Sequence, residues 1–274
     1  MDFHNKILKE FFLLELRKLA SDIHKKITVN DEWTIRGFVD TFRTVYALSS
    51  DTKLVSKVLE LHLFPYFMKF AQTHGFILEP AEHQNWYPDL TFILSKNPNV
   101  KFAVDLKTSY RKNETMCNGF TLGSHGDYFI NRSSSKKNIQ YPYNSYTAHI
   151  CFGVIYNRIN NDKKFEFKSY KLDELNLIPP VLKSFTFFVQ EKWKIASDKQ
   201  GSGNTANIGS IKNIQNLLSG NGIFIPYGEE IFDDYWCNYN KISYVLPNGE
   251  SKKITSLEQY LQYRSIEHKN QYGS

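Results

Sequence analysis

In the stretch WYPDLTFILSKNPNVKFAVDLKTSY, residues 86–110, two aspartates and a lysine stand where a hairpin would bring them together. KFAVDLKTSY alternates with a period of two. This puts Phe102, Val104 and Leu106 on one face of a strand and Ala103, Asp105, Lys107 and Ser109 on the other. The Asn-Pro-Asn of SKNPNV is a turn signal, so DLTFIL and KFAVDLKTSY are expected to fold back on each other as antiparallel strands. A turn centred near Asn97 lies eight positions after Asp89 and eight before Asp105. That register sets the two carboxylates opposite one another on a shared face, and a slip of one residue would separate them.

Two carboxylates held this close repel, and one of them gains a proton unless a cation sits between them. A small set of hard oxygen ligands suits Mg²⁺, which keeps several waters and completes its shell with substrate phosphate oxygens. Lys107 adds an ammonium that can orient water and offset charge building on a phosphate. The three groups together describe metal-assisted hydrolysis of a phosphodiester. An Asp-x-Lys pair on a strand also fits a merely solvated face, so the chemistry depends on the elements around it.

Those elements can be read from spacing. The start, MDFHNKILKEFFLLELRKLASDIHKK, carries Phe11, Leu14, Leu16, Leu19 and Ile23 as a rough helical stripe. Its apolar core is too short, and too interrupted by Glu10, Glu15 and Arg17, for a signal peptide or membrane span. Residues 51–74 predict a second helix, with Ser50 or Asp51 as N-cap, Gly75 past its end, and Pro65 expected to kink or split it. Strand character follows in 76–79, 89–94, 101–110, 149–158, 164–172 and 184–190, and helices return over 231–242 and 256–268. Ser256 and Gln259 are spaced as a capping box. Helices at both ends around a strand-rich middle imply an α/β fold in which helices flank a mixed sheet.

The composition agrees with one globular domain over residues 1–274: 41% of the residues are hydrophobic, with 21 Phe and 17 Tyr, and no repeat or linker divides the chain. The net charge of +6 leans towards an anionic partner such as nucleic acid. Cys117, Cys151 and Cys237 form neither a disulfide framework nor a zinc pattern, which points to a reducing, cytoplasmic setting. No stretch approaches a membrane span.

Residues 201–210, GSGNTANIGS, carry no charge in this basic chain. The Gly-Lys-Ser/Thr ending of a nucleotide-phosphate loop is missing. A flexible surface loop is one reading. The residue types also suit base reading, since Asn can meet adenine bidentately in the major groove, Thr can touch a thymine methyl, and Gly lets backbone groups approach base edges. Charges there would bind every phosphate alike, whereas phosphate contacts position and base contacts specify.

SDTKLVSKVLELHLFPYFMKFAQTHGFILEPAEHQNWYPDLTF, VDLKTSY, FTLG, KNIQYPYNSYTAH and GSGNTANIGS resemble, in the same order, segments of the EcoRV-like type II restriction endonucleases. These belong to the nuclease superfamily marked by Pro-Asp followed by Asp/Glu-x-Lys. The resemblance runs from about residue 50 to the Trp236 region and is thin outside it. It implies a restriction-endonuclease-like fold, with Asp89 and Asp105 as metal ligands, Lys107 as catalytic lysine, and Glu60 helping to hold a second Mg²⁺. Gly201, Ser202, Gly203, Asn204, Thr205 and Asn207 match the recognition loop, while Ala206 departs from a threonine. Gln84 and Asn85 match a loop near the minor groove, where His83 and Trp86 differ. Thr52, Lys53, Thr108, Ser109, Tyr110, Lys137 and Arg158 match positions against the DNA backbone. The implied protein is a homodimer that cuts double-stranded DNA bluntly at the centre of GATATC, beside a cognate DNA methyltransferase of the same system. A structure-selective repair or junction nuclease and a non-catalytic site-specific DNA-binding protein are the alternatives.

Overall fold

The expected hairpin forms, and the computed structural model describes residues 3–159, 168–202, 206–245 and 250–272. Along the chain run α1 (Phe3–Ile27), β1 (Thr28–Val29), β2 (Glu32–Trp33), β3 (Gly37–Val39), β4 (Thr44–Ala47) and α2 (Thr52–His74). Then come β5 (Phe76–Pro80), β6 (Leu90–Leu94), β7 (Lys101–Tyr110), β8 (Thr121–Ser124), α3 (Asp127–Ile130), β9 (Ala148–Arg158), β10 (Ser169–Lys171) and β11 (Leu182–Glu191). The chain continues through α4 (Lys192–Ile195), β12 (Ala196–Gln200), β13 (Asn207–Ser210), α5 (Ile214–Ser219), α6 (Gly228–Asn238), β14 (Ser243–Val245), β15 (Ser251–Lys253) and α7 (Leu257–Tyr272).

Seven strands form the central sheet in the order β1-β2-β11-β9-β7-β6-β5. β7 and β9 are parallel while the other neighbours are antiparallel, so the sheet is mixed as expected. Leu90 pairs with Val104 and Phe92 with Phe102, the register that a turn at Asn97 requires. The alternation of β7 divides its side chains between two cores. Phe102 and Val104 join the apolar layer under α1 and α2, whereas Ala103 joins the layer under the small sheet β12-β13-β8 and the C-terminal helices.

The N-terminal helix buries Leu16 and Ile23 of the expected stripe and packs Leu19 against the core, but at its start the stripe shifts to Phe12 and Leu13. Phe12, Leu13, Leu16, Ala20, Ile23 and Ile27 are buried, while Phe11 and Leu14 are exposed. Phe12 decides this, because its ring stacks on Phe102 at 4.2 Å and meets Phe70, Phe76 and Phe92 edge-on. Helix α2 begins on Asp51, whose carboxylate accepts from the Lys53 and Leu54 amides. It ends on Gly75, which adopts the left-handed conformation with φ 72°. Pro65 lies inside this helix without splitting it.

The strand expected over 164–172 falls partly outside the described residues; its described end, β10, pairs with β4 in a separate three-stranded sheet. The helix expected over 231–242 lies earlier, as α6, and gives way before Asn240, whose φ of 59° is not helical. Of the capping box at α7, Ser256 accepts from the Gln259 amide, but the Gln259 side chain accepts from Thr255 instead of Ser256.

Candidate active site

β6 and β7 position the first three groups. Asp89 immediately precedes β6, and the register continued by one pair sets it across from Asp105. Asp89 Oδ2 accepts from the Leu106 backbone N–H at 2.7 Å, which fixes this carboxylate to the partner strand. Lys107 Nζ lies 2.7 Å from Asp105 Oδ2 and 3.5 Å from Asp89 Oδ2. One ammonium therefore bridges both acids.

Burial pushes the Asp105 carboxyl up to about 6; the Lys107 charge pulls it down and the Asp89 charge adds to the rise. Burial alone would lower the Lys107 pKa, but Asp105 and Asp89 outweigh it and hold the ammonium above the ordinary lysine value. Lys107 is thus a permanent cation at neutral pH.

Among the described residues, no group of three or more His, Cys, Asp or Glu side chains is gathered closely enough to suggest a metal centre of the all-protein kind. A pair of carboxylates fits Mg²⁺ differently, through one or two protein oxygens completed by water and phosphate. The donor set here is of that kind: Asp89 and Asp105 converge from adjacent strands, and their joint negative charge already holds a cation, Lys107.

Asp89 and Lys107 border a cleft of about 1000 Å³ and, with Asp105, a second one of about 460 Å³. Glu60, Thr52, Lys53, Gln84, Asp89, Lys107, Thr108, Ser109, Tyr110, Arg158 and Ser202 line the larger. Asn85, Asp105, Lys137 and Asn207 line the smaller, together with Asp89 and Lys107. Glu60 projects from α2 and pairs with Lys57 at 2.7 Å. Arg158 stacks its guanidinium 3.8 Å from the Tyr110 ring centre, and Ser109 is buried with a hydroxyl that has no partner among the described residues.

The neutral loop joins β12 to β13. Gly203, Asn204 and Thr205 lie outside the described residues, so its described parts are Gly201, Ser202 and the segment from Ala206 onward. The loop is tied down at its base: Gly201 N–H donates to Asn207, Thr121 reaches Ser202, and the His125 amide donates to Ala206. Gly209 is required there, since an added Cβ would meet the Lys199 carbonyl oxygen at 2.5 Å.

Several supporting residues had no distinguishing pattern in the sequence. Ser56 bonds Thr108 at 2.6 Å and so ties α2 to β7. Tyr87, Tyr128, Tyr143 and His149 stack together beside the carboxylates, and Lys192 is buried against that stack. An aromatic-rich loop and a lysine in QEKWK offered no signal that they would meet.

The family model described as "Restriction endonuclease EcoRV" matches residues 29–265. The Type II restriction enzyme EcoRV of Escherichia coli is 39% identical over 233 residues, covering 85% of this chain and 92% of that protein. The likeness thus extends beyond residues 50–236 on both sides. The NlaIV restriction endonuclease structure aligns over 73% of this chain and 68% of its own, at a TM-score of 0.42 and 13% identity.

Proposed function

The chain belongs to the EcoRV restriction endonuclease family and is a type II restriction endonuclease, and from that premise we propose that it hydrolyses double-stranded DNA with Mg²⁺ at GATATC, leaving blunt ends. The observation that carries the hydrolytic reading is Lys107 bridging Asp89 and Asp105 at the border of a 1000 Å³ cleft that also reaches the neutral loop.

Asp89 and Asp105 would hold the ion, with Glu60 across the cleft as a further carboxylate for a second one. A bound Mg²⁺ supplies Lewis acidity at the scissile phosphate. Lys107 Nζ donates to a non-bridging phosphate oxygen and opposes the charge that develops there as water attacks in line. The bond from phosphorus to the 3′ oxygen breaks, leaving a 5′-phosphate and a 3′-hydroxyl. The Leu106 amide holds Asp89 still, so the carboxylates need little reorganisation when DNA arrives.

The loop with Asn204 and Thr205 reads bases: Asn204 an adenine, Thr205 a thymine methyl, while Gly201 and Gly203 offer backbone groups to the outer pair and Ser202 and Asn207 complete the set. Gln84 and Asn85 approach the minor groove. Thr52, Lys53, Thr108, Ser109, Tyr110, Lys137 and Arg158 hold backbone phosphates. One domain carries both reading and cutting. Two copies match the two-fold symmetry of a palindrome. The surface of the sheet β10-β4-β3 supports such pairing, since Phe38, Val39, Phe42 and Tyr46 are exposed beside Leu172, Leu175 and Leu177. The setting is the cytoplasm, with a methyltransferase protecting host sites; among the described residues no helix is long and apolar enough to cross a membrane.

The test is a plasmid with one GATATC, incubated with Mg²⁺ and with chelator, and its ends mapped. A single blunt cut that needs the ion is expected. Structure-selective nicking would favour a repair nuclease, and retention without cutting a DNA-binding protein.

A further inference from the structure

Lys192 is the first residue of α4, at the junction between β11 of the central sheet and β12, which leads to the neutral loop. It is 3% exposed, and Nζ has no hydrogen-bond partner among the described residues. The adjacent carboxylate does not neutralise it, because Glu191 is paired with Lys9 at 2.7 Å and Lys194 at 2.6 Å. An ammonium buried without an anion is costly and persists only where the surroundings compensate.

Here the compensation is aromatic. Nζ stands 5.3 Å from the ring centre of Tyr87, 5.2 Å from Phe129 and 5.6 Å from Tyr143. β8 closes the cage, for a Cβ on Gly123 would come within 3.5 Å of Nζ. Gly123 borders both clefts, and Tyr87 precedes Asp89 by two residues. The Tyr87 backbone is held by Asn138 and Gln140, and its hydroxyl meets His149 Nδ1 at 2.9 Å. Burial brings the amine down to about 8; the Asp105 and Asp233 charges raise it, and the Lys107 and Arg132 charges oppose them.

We propose that Lys192 is a positioning residue for phosphodiester hydrolysis: its caged ammonium clamps the Tyr87 ring and places a fixed positive charge behind Asp105, holding the two carboxylates at the spacing the reaction needs. The inference rests on the Mg²⁺-dependent reading above. It assigns Lys192 no contact with DNA, water or metal.

The test is single-turnover cleavage of a GATATC duplex as a function of Mg²⁺, with DNA binding and thermal melting measured on the same samples. Lys192→Met keeps the length of the side chain and removes the charge. It is expected to melt at or above the wild-type temperature, bind the duplex normally, and cleave about 10- to 100-fold more slowly or need correspondingly more Mg²⁺. Tyr87→Leu, which leaves Lys192 in place but removes one face of the cage, is expected to lose rate similarly. Normal rate and Mg²⁺ dependence in folded Lys192→Met would overturn the proposal. If that variant does not fold, Tyr87→Leu decides: slow cleavage with normal binding supports the clamp and an unchanged rate refutes it. Failure of both to fold would make the cage a core element and also refute it. No cutting by wild-type protein would sink the hydrolytic reading and this inference with it; equal cutting by wild type and variant would sink the inference alone.

Discussion

Asp89 and Lys107 border the same cleft as Ser202 at the start of the neutral loop, yet the two regions are held in different ways. The acids and the lysine stand at the end of a ladder buried between two cores, and a backbone amide grips Asp89 directly. The described ends of the loop continue from β12 and β13, whose pairing shifts register between Ala196 and Gln200, and hydrogen bonds hold them at Gly201, Ser202 and Ala206. Chemistry at phosphorus tolerates little displacement of the reacting groups, whereas reading bases asks a neutral segment to fit a groove. On the proposed reading, the carboxylate site serves a step common to any phosphodiester, and the neutral loop chooses which phosphodiester is presented.

That contrast breaks if a change at the carboxylate site alters only sequence choice, or a change in the loop alters only chemistry. The largest expected effect is at Lys107. Lys107→Ala should bind the GATATC duplex as before and cleave it at least about a thousandfold more slowly, measured in single turnover. Next comes Asn204→Ala, expected to lose about 1–3 kcal/mol of discrimination at one base pair while cutting its relaxed set of sites at a similar maximal rate. Competition between GATATC and single-base variants measures it.

Acidity sharpens the comparison because it acts on one region. In chelator, burial raises the folded Asp105 carboxyl to about 6, above the ordinary aspartate value of about 4. A raised carboxyl favours the fold below the lower value, and that advantage disappears as pH rises through the upper one. The melting temperature of Asp105→Asn minus that of wild type should therefore grow between about pH 4 and 6 and level off above. With Mg²⁺ the proton competes with the ion, so the concentration needed for half-maximal cleavage should rise as pH falls below about 6. The smallest effect on cutting is at the loop base, where Gly209→Ala should cost about 1–3 kcal/mol of stability by crowding Lys199 but leave maximal rate unchanged and weaken discrimination less than Asn204→Ala.

Much of the carboxylate site was legible in the chain because both of its determinants are local. Alternation along KFAVDLKTSY and the Asn-Pro-Asn turn specify the face and register of Asp105 and Asp89 without reference to distant residues. The docking of α1 was less legible: Phe11, Phe12, Leu13 and Leu14 are all apolar, and only the ring of Phe102 selects Phe12. Pro65 misled in the same way, since the packing of Leu63, Phe67 and Phe70 holds one continuous helix where local rules foresee a break.

By itself the sequence determined the hairpin, its register, the neutral character of residues 201–210 and the caps of α2, all of which follow from dihedral preference and periodicity within a few residues. Only the tertiary structure decided that Lys107 bridges both acids, that Ser56 reaches Thr108, and that Lys192 enters a cage built from Tyr87, Phe129 and Tyr143. These depend on side chains up to about a hundred residues apart meeting in a close-packed interior, where shape and charge select partners that no local pattern encodes.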